Sequence, residues 1–132
     1  MTTVELTLPA QLEMRDLLLL VVGQMCVAAD LAQPVHFAIV SSASEIFNLI
    51  VNNAYVGVND GRVHVVLRMG EASWDMETTD HGRPYAPATA AAAGGAAVHS
   101  QALNVSRFML DSLEYTPGPP NHWRLVKSLN LH

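Results

Sequence analysis

The sequence predicts one α/β domain of the two-layer type, in which helices cover one face of a mixed, largely antiparallel sheet. Strand-like segments come in pairs joined by short turns, helical segments lie between the pairs, and 50% of the 132 residues are hydrophobic. Strands joined by short turns run antiparallel, and helices between them pack on a sheet face. A chain of this length buries roughly two-thirds of its unfolded surface. Residues 1–132 are therefore expected to form a single domain.

The first strand and the first helix follow from simple periodicities. The segment Val4–Leu8 alternates apolar and polar residues and is stopped by Pro9, as in a strand with one buried face. From Gln11 to about Ala29 apolar residues recur at helical spacing, until Gln33-Pro34 ends the segment. The apolar part of this helix is too short to span a bilayer, and no basic segment precedes it. A cytoplasmic protein without a membrane partner is expected.

A second helix carries the most informative polar pattern. It is predicted through residues 44–55, and it begins either at the serines of residues 41–44, which can cap a helix, or earlier, near Val35. The side chains of Glu45, Asn48 and Asn52 are spaced by three and four residues, so they share one face. A polar stripe on an apolar helix indicates either a functional surface or hydrogen bonds within the core.

The second half of the chain predicts two strand pairs around a helix. Residues 62–69 and 72–79 are expected to form a β-hairpin that runs into a loop at residues 80–85. Residues 86–98 are rich in alanine, contain Gly94-Gly95 and are expected to form a flexible segment. A third helix is predicted from His99 to about Leu113, and two short strands at 114–116 and 121–127 flank a Pro-Gly turn.

Charge and cysteine content narrow the function classes. Seven basic and twelve acidic side chains give a formal net charge of −5, and the basic residues form no cluster, so nucleic acid is not an expected partner. The single cysteine, Cys26, lies in an apolar stretch and is expected to be a buried, inert thiol. Without a second cysteine or suitably spaced histidines, a zinc site is not expected.

Three places combine polar side chains with special backbone, and together they suit a nucleotide. They are the Glu45 face of the second helix, the Asp80-His81-Gly82 turn and the Gly94-Gly95 segment. A carboxylate at a strand end can accept a hydrogen bond from an adenine amino group, and glycine lets a ligand approach the backbone. An asparagine amide oxygen suits Mg²⁺, and a nearby glutamate can act as a general base.

The order of these segments along the chain resembles a known family. Residues 44–55 look like the N-box helix of the anti-sigma-factor/serine-protein kinase family, within the histidine-kinase-like ATPase (GHKL) superfamily. Residues 80–87 resemble that family's adenine-binding turn, and residues 107–115 and 123–127 resemble its last helix and terminal strand. The resemblance implies a Bergerat-type ATP-binding fold, ATP and Mg²⁺ as cofactors, frequent homodimers, and a sigma factor or anti-anti-sigma protein as partner. It also implies that residues 86–98 form the ATP lid.

The resemblance assigns roles to particular residues. Carried over by position, Glu45 would be the general base and Asp80 the adenine contact, with Gly82 giving room beside the base. Asn53, at the end of the N-box, belongs to the nucleotide-binding residues that the resemblance implies.

The metal ligand depends on the register of the N-box. In the register that places Glu45 at the base position, the family's magnesium ligand falls on Leu49, and leucine cannot coordinate a metal. A shifted register, resembling histidine kinases, would use Asn48 and Asn52 for the nucleotide and the metal, and would move Glu45 off the base position. The sequence leaves both registers open.

Two functions therefore remain open. The first is a serine-protein kinase that uses ATP and Mg²⁺, and the second is a partner-switching module of the same fold that binds protein without nucleotide. Leu49 at the magnesium position favours the second function, as does Gly94-Gly95, which lies several residues before the position of the family's glycine-rich lid. The Asp80 turn instead favours retained adenine binding. A domain that serves only dimerisation is the least expected alternative. The sequence thus predicts a regulatory ATP-site domain that binds a sigma factor or an anti-anti-sigma partner.

Overall fold

The computed structural model describes residues 1–57, 60–85, 103 and 106–129. The elements in this part of the chain are β1 (Thr2–Pro9), α1 (Glu13–Ala28), α2 (Gln33–Asn53), β2 (Arg62–Met69), β3 (Ser73–Asp80), β4 (Ser112–Thr116) and β5 (Asn121–Ser128). The five strands form one sheet in the order β1-β2-β3-β5-β4, and all neighbouring pairs are antiparallel. The predicted α/β class is confirmed, with a sheet that is antiparallel throughout its described strands rather than mixed.

One face of this sheet carries the core. Residues in β2 and β3 alternate strictly between buried and partly exposed, as expected of strands with helices on one side only. The buried side chains of the sheet include Val63, Val65, Leu67, Trp74, Met76, Trp123 and Leu125. They form one cluster with the buried residues of α1 and α2, among them Leu18, Cys26, Ile39, Ile46 and Phe47. The arrangement is that of a two-layer sandwich.

The opposite face of the sheet is polar. Arg68 bridges two neighbours on β3, with its Nη1 atom 2.7 Å from Asp75 Oδ2 and 2.5 Å from Glu77 Oε2. Glu77 also lies 3.1 Å from His122 Nε2 on β5. The hydrogen bond from Arg68 lowers the pKa of Glu77, aided by the charges of Arg68 and His122. This network runs across β2, β3 and β5 on the side away from the helices.

The link between the two helices explains where α2 starts. The chain leaves α1 through a Schellman motif, in which the Asp30 N–H donates to Val27 O at 3.0 Å and the Leu31 N–H donates to Cys26 O at 3.2 Å. Pro34 then lies in the first turn of α2, where its missing N–H has no intrahelical partner to lose. The Gln33-Pro34 pair therefore starts the second helix as well as following the first. Of the two predicted starts, the earlier one is close to the observed Gln33.

The apolar character of α2 is accounted for by packing. Among the described helices, α2 is long and apolar enough to cross a membrane by length and composition, with a mean hydropathy of 1.4. Half of that segment is buried inside the domain, including Ile39, Ile46, Phe47 and Ile50. Cys26 of α1 is buried too, and burial raises its pKa to about 11, as expected of an inert thiol.

The other sequence predictions have mixed outcomes. The predicted strand at 62–69 coincides with β2, and the predicted strand at 72–79 is β3 shifted by one residue. The third helix was predicted to continue to about Leu113, but residues 106–109 are its last described helical residues and β4 begins at Ser112. The predicted flexible segment at 86–98 and the start of the third helix lie outside the described residues.

Candidate functional site

Asp80 lies at the end of the central strand β3, on the face of the sheet that packs against the helices. It is the last residue of β3, and the alternation that buries Trp74, Met76 and Thr78 also turns Asp80 towards the helices. It pairs with Asn121 at the start of β5, and only 1% of its surface is exposed. A carboxylate this deeply buried requires hydrogen-bond partners.

Those partners come from the following turn and from β5. The Asp80 Oδ1 atom accepts a hydrogen bond from the Gly82 N–H at 3.0 Å and another from Asn121 Nδ2 at 2.9 Å. The same Asn121 nitrogen donates to Gly82 O at 2.9 Å, and Asn121 Oδ1 accepts from the Gly118 N–H at 2.8 Å. The orientation of the carboxylate is therefore fixed by a buried amide that also holds both adjoining turns.

The turn after Asp80 is attached to the end of α2. The Arg83 N–H donates to Ala54 O at 2.7 Å, and the His81 N–H donates to Tyr55 Oη at 2.8 Å. A Cβ atom on Gly82 would lie 2.4 Å from Ala54 O, which is too close for any side chain. Gly82 is therefore required for the turn to approach α2, and this packing role exists whether or not a ligand lies beside it.

A small cleft lies beside Asp80, between the end of α2 and the strands β4 and β5. Its cavity volume is only about 10 Å³. This is about enough for one water. The lining residues are Leu49, Ile50, Asn53, Ala54, Asp80, Arg83, Tyr85, Tyr115, Asn121 and Trp123.

Three of the residues that line the cleft are aromatic and contact one another: Tyr85, Tyr115 and Trp123. The ring centroids of Tyr115 and Trp123 are 4.4 Å apart, and Tyr85 lies 6.3 Å from Tyr115 and 6.0 Å from Trp123. The Tyr85 N–H also donates to Tyr115 Oη at 2.7 Å. Burial raises the pKa of Tyr115 despite that hydrogen bond, so its hydroxyl stays neutral.

Glu45 occupies the same face of α2 as the cleft residues, one turn before Leu49 and two before Asn53. Its Oε2 atom accepts a hydrogen bond from the hydroxyl of Ser106, a residue with 1% exposure in the helical turn at 106–109. The carboxylate predicted to be a general base is thus in contact with a hydroxyl group of its own chain. It is not among the residues that line the cleft.

The two asparagines of the shifted register lie elsewhere. Asn48 Oδ1 accepts a hydrogen bond from Arg15 Nη1 of α1 at 3.2 Å, and Asn52 is exposed. Neither lines the cleft, whereas Asn53 does, and its Oδ1 atom lies 3.4 Å from Arg83 Nη2. Within the described ranges no group of three His, Cys, Asp or Glu residues could hold a metal ion.

Of the predicted site residues, Asp80 and Asn53 line the cleft, and Gly82 is hydrogen-bonded to Asp80 without lining it. Glu45, Asn48 and Asn52 lie outside the lining of the cleft. Asn121 was not predicted from the sequence. Only the pairing of β3 with β5, which places Asn121 opposite Asp80, identifies it. The His122 imidazole lies on the polar face of the sheet beside Glu77, and His122 is not among the residues that line the cleft. No family model matches the chain, and no curated protein matches it.

Proposed function

We propose that this chain is a cytoplasmic regulatory domain with an adenine-nucleotide site at the Asp80 cleft. It would have the Bergerat-type fold of the anti-sigma-factor/serine-protein kinase family and bind a sigma factor or an anti-anti-sigma protein. The observation that carries the proposal is the position of Asp80, a buried carboxylate at a strand end held by Asn121 and Gly82 beside a cleft.

The chemistry of the cleft suits a purine base. A carboxylate accepts hydrogen bonds, so Asp80 fits the amino group of adenine and opposes the carbonyl that guanine has in its place. The rings of Tyr115 and Trp123 offer flat apolar surface, and Leu49 and Ile50 of α2 add aliphatic side chains to the lining. A few polar groups in an apolar cleft is the usual composition of a small-molecule site.

Phosphate transfer is less well supported than base binding. Leu49 lies at the cleft on the same helix face as Glu45, and it offers no oxygen to Mg²⁺. Asn48 is hydrogen-bonded to Arg15 of α1 and does not line the cleft. The described residues therefore favour a regulator that binds nucleotide and protein with little dependence on Mg²⁺ over a kinase in which Glu45 is the general base.

A partner-switching module that binds no nucleotide is the second candidate. It is favoured by the size of the cleft, which has room for about one water molecule as the side chains stand. In that case the Asp80–Asn121 pair would serve to join the Asp80 turn to the sheet, and regulation would depend on protein binding alone.

Calorimetric titration with a non-hydrolysable ATP analogue separates the two candidates. The purified protein is titrated with and without Mg²⁺, beside Asp80→Asn and the exposed control Asp60→Asn. Binding that is lost in Asp80→Asn and kept in Asp60→Asn supports the nucleotide site. If the wild type binds no analogue at millimolar concentration in either condition, the nucleotide site is refuted and the protein-binding module remains.

A further inference from the structure

The side chain of Tyr85 lines the same cleft as Asp80. Its surface is only 8% exposed, and its ring packs against those of Trp123 and Tyr115 at 6.0 and 6.3 Å between centroids. Tyr85 follows the Asp80 turn by three residues, and its ring and the Asp80 carboxylate bound the same small cavity of about 10 Å³.

The hydroxyl of Tyr85 shows that this position is not optimised for a tyrosine. Its oxygen is buried and has no hydrogen-bond partner in the described part of the structure. A buried hydroxyl without a partner disfavours the conformation that contains it, since the same group would be hydrated outside. The inward position of Tyr85 is therefore stabilised by its ring and opposed by its hydroxyl.

We infer that Tyr85 controls access to the Asp80 cleft: its ring takes the place of a ligand ring, and an adenine base enters only when Tyr85 has moved out. This inference rests on the proposed function, because it concerns occupation of the same cleft. In this arrangement the inward form does not bind, so the apparent affinity of a nucleotide falls with the fraction of molecules whose cleft is open.

Two substitutions of Tyr85 change this fraction in opposite directions. Tyr85→Ala removes the occupying ring, and we expect the apparent Kd for adenosine to fall about 10-fold or more, as for a protein whose open fraction is about a tenth or less. Tyr85→Phe keeps the ring and removes the unpaired hydroxyl. The inward conformation is then more stable and more populated, so the apparent Kd should rise about 5-fold or more. Phe108→Ala, which removes an aromatic ring that is 93% exposed, should leave the Kd unchanged.

The experiment is a titration of wild type and these three variants with adenosine and with the non-hydrolysable ATP analogue, by calorimetry. Quenching of tryptophan fluorescence provides a second readout, because Trp123 lies against Tyr85. A double variant that carries both Asp80→Asn and Tyr85→Ala shows whether the tighter binding uses the carboxylate. Circular dichroism and thermal denaturation establish that each variant folds, and if Tyr85→Ala does not fold, Tyr85→Phe decides.

The outcomes separate the inference from the proposed function. Tighter binding to Tyr85→Ala together with weaker binding to Tyr85→Phe supports both. Equal binding to wild type and Tyr85→Ala, or binding to Tyr85→Phe that is as tight as to wild type, overturns the role of Tyr85 and leaves the nucleotide site standing. If neither the wild type nor a folded Tyr85→Ala binds adenosine or the ATP analogue, both the role of Tyr85 and the nucleotide site are overturned.

Discussion

The side-chain amide nitrogen of Asn121 donates to two acceptors at once, Asp80 Oδ1 and Gly82 O, each at 2.9 Å. Asn121 and Asp80 face each other across β5 and β3, so one amide joins the pairing of two strands to the turn that follows. Its own Oδ1 atom holds the Gly118 N–H of the β4–β5 turn. A single buried side chain thus determines the geometry at this end of the sheet.

Replacement of Asn121 by alanine should therefore destabilise the domain strongly. Asp80 would keep the Gly82 N–H as a partner but lose the amide, while Gly82 O and the Gly118 N–H would lose theirs. Only the Asp80 carboxylate is fully buried, whereas Gly82 and Gly118 are partly exposed and can be hydrated. Leaving a buried polar group unsatisfied costs about 1–3 kcal/mol, so we expect the free energy of unfolding to fall by about 2 kcal/mol. Urea denaturation followed by circular dichroism measures this change.

The control for that substitution is Asn52→Ala, because Asn52 is exposed on α2. Exposed substitutions usually change stability by less than about 0.5 kcal/mol. If Asn121→Ala unfolded at the same urea concentration as Asn52→Ala, the described hydrogen bonds of Asn121 would have no net stabilising role.

Asp30 should be replaceable by glycine with a gain in stability. Its φ of 54° lies in the left-handed region, which disfavours side chains with a Cβ atom, and its carboxylate follows the C-terminal end of α1. The carbonyl end of a helix carries partial negative charge, so an acidic residue there is unfavourable. Asp30→Gly relieves both effects, and we expect the free energy of unfolding to rise by about 1 kcal/mol.

Asp30→Asn separates the two effects, because it removes the charge and keeps the Cβ atom. It should give a smaller gain, about 0.3–1 kcal/mol, which shrinks at high salt. The measurement is urea denaturation at low and high ionic strength. A loss of stability in Asp30→Gly would show that the aspartate makes a stabilising contact that outweighs the strain of its backbone.

The Arg68–Glu77–His122 network predicts an acid sensitivity that can be assigned to Glu77. The folded-state pKa of Glu77 is held below its ordinary value of 4.5, mainly by the hydrogen bond from Arg68. A carboxyl group with a depressed pKa stabilises the fold above its unfolded-state pKa, and this contribution is lost as the pH falls through the folded-state pKa. Glu77→Gln should therefore be less stable than wild type at pH 7, and the difference should shrink below pH 4.5.

Thermal denaturation between pH 7 and pH 3 tests this prediction. Glu71→Gln, an exposed glutamate in the β2–β3 turn, controls for the loss of one negative charge from a chain of net charge −5. A difference between Glu77→Gln and wild type that stayed constant over this pH range would contradict the role assigned to the ion pair.

The sequence patterns predicted the fold well because they reflect one dominant effect, the burial of apolar side chains. Alternation located β2 and β3, and helical spacing located α1. The start of α2 was harder, since Pro34 can follow one helix or open the next, and only the turn at Asp30 shows that it opens the next. Local patterns are ambiguous where two elements meet.

The candidate site was only partly predictable, because its contacts join residues far apart in the sequence. Asp80 and Gly82 stand in one turn and could be recognised together. Asn121 reaches Asp80 through the pairing of β3 with β5, and Ser106 reaches Glu45 through the packing of a helical turn on α2. Such contacts depend on register and packing, which no short motif encodes.

The contact between Ser106 and Glu45 leads to a last prediction, on the attachment of the 106–109 turn to α2. The Ser106 hydroxyl is buried and donates to a carboxylate, and hydrogen bonds to charged groups contribute about 1.5–3 kcal/mol. Ser106→Ala and Glu45→Ala should each destabilise the domain, and a double-mutant cycle should give a coupling energy of at least about 1 kcal/mol. Pairing Ser106→Ala with Asn52→Ala should instead give additive effects, because Asn52 is exposed. Additivity in the Ser106–Glu45 cycle would mean that the two groups do not stabilise each other in solution. Glu45 would then be free to accept a proton from another hydroxyl, and its assignment as a general base would gain support.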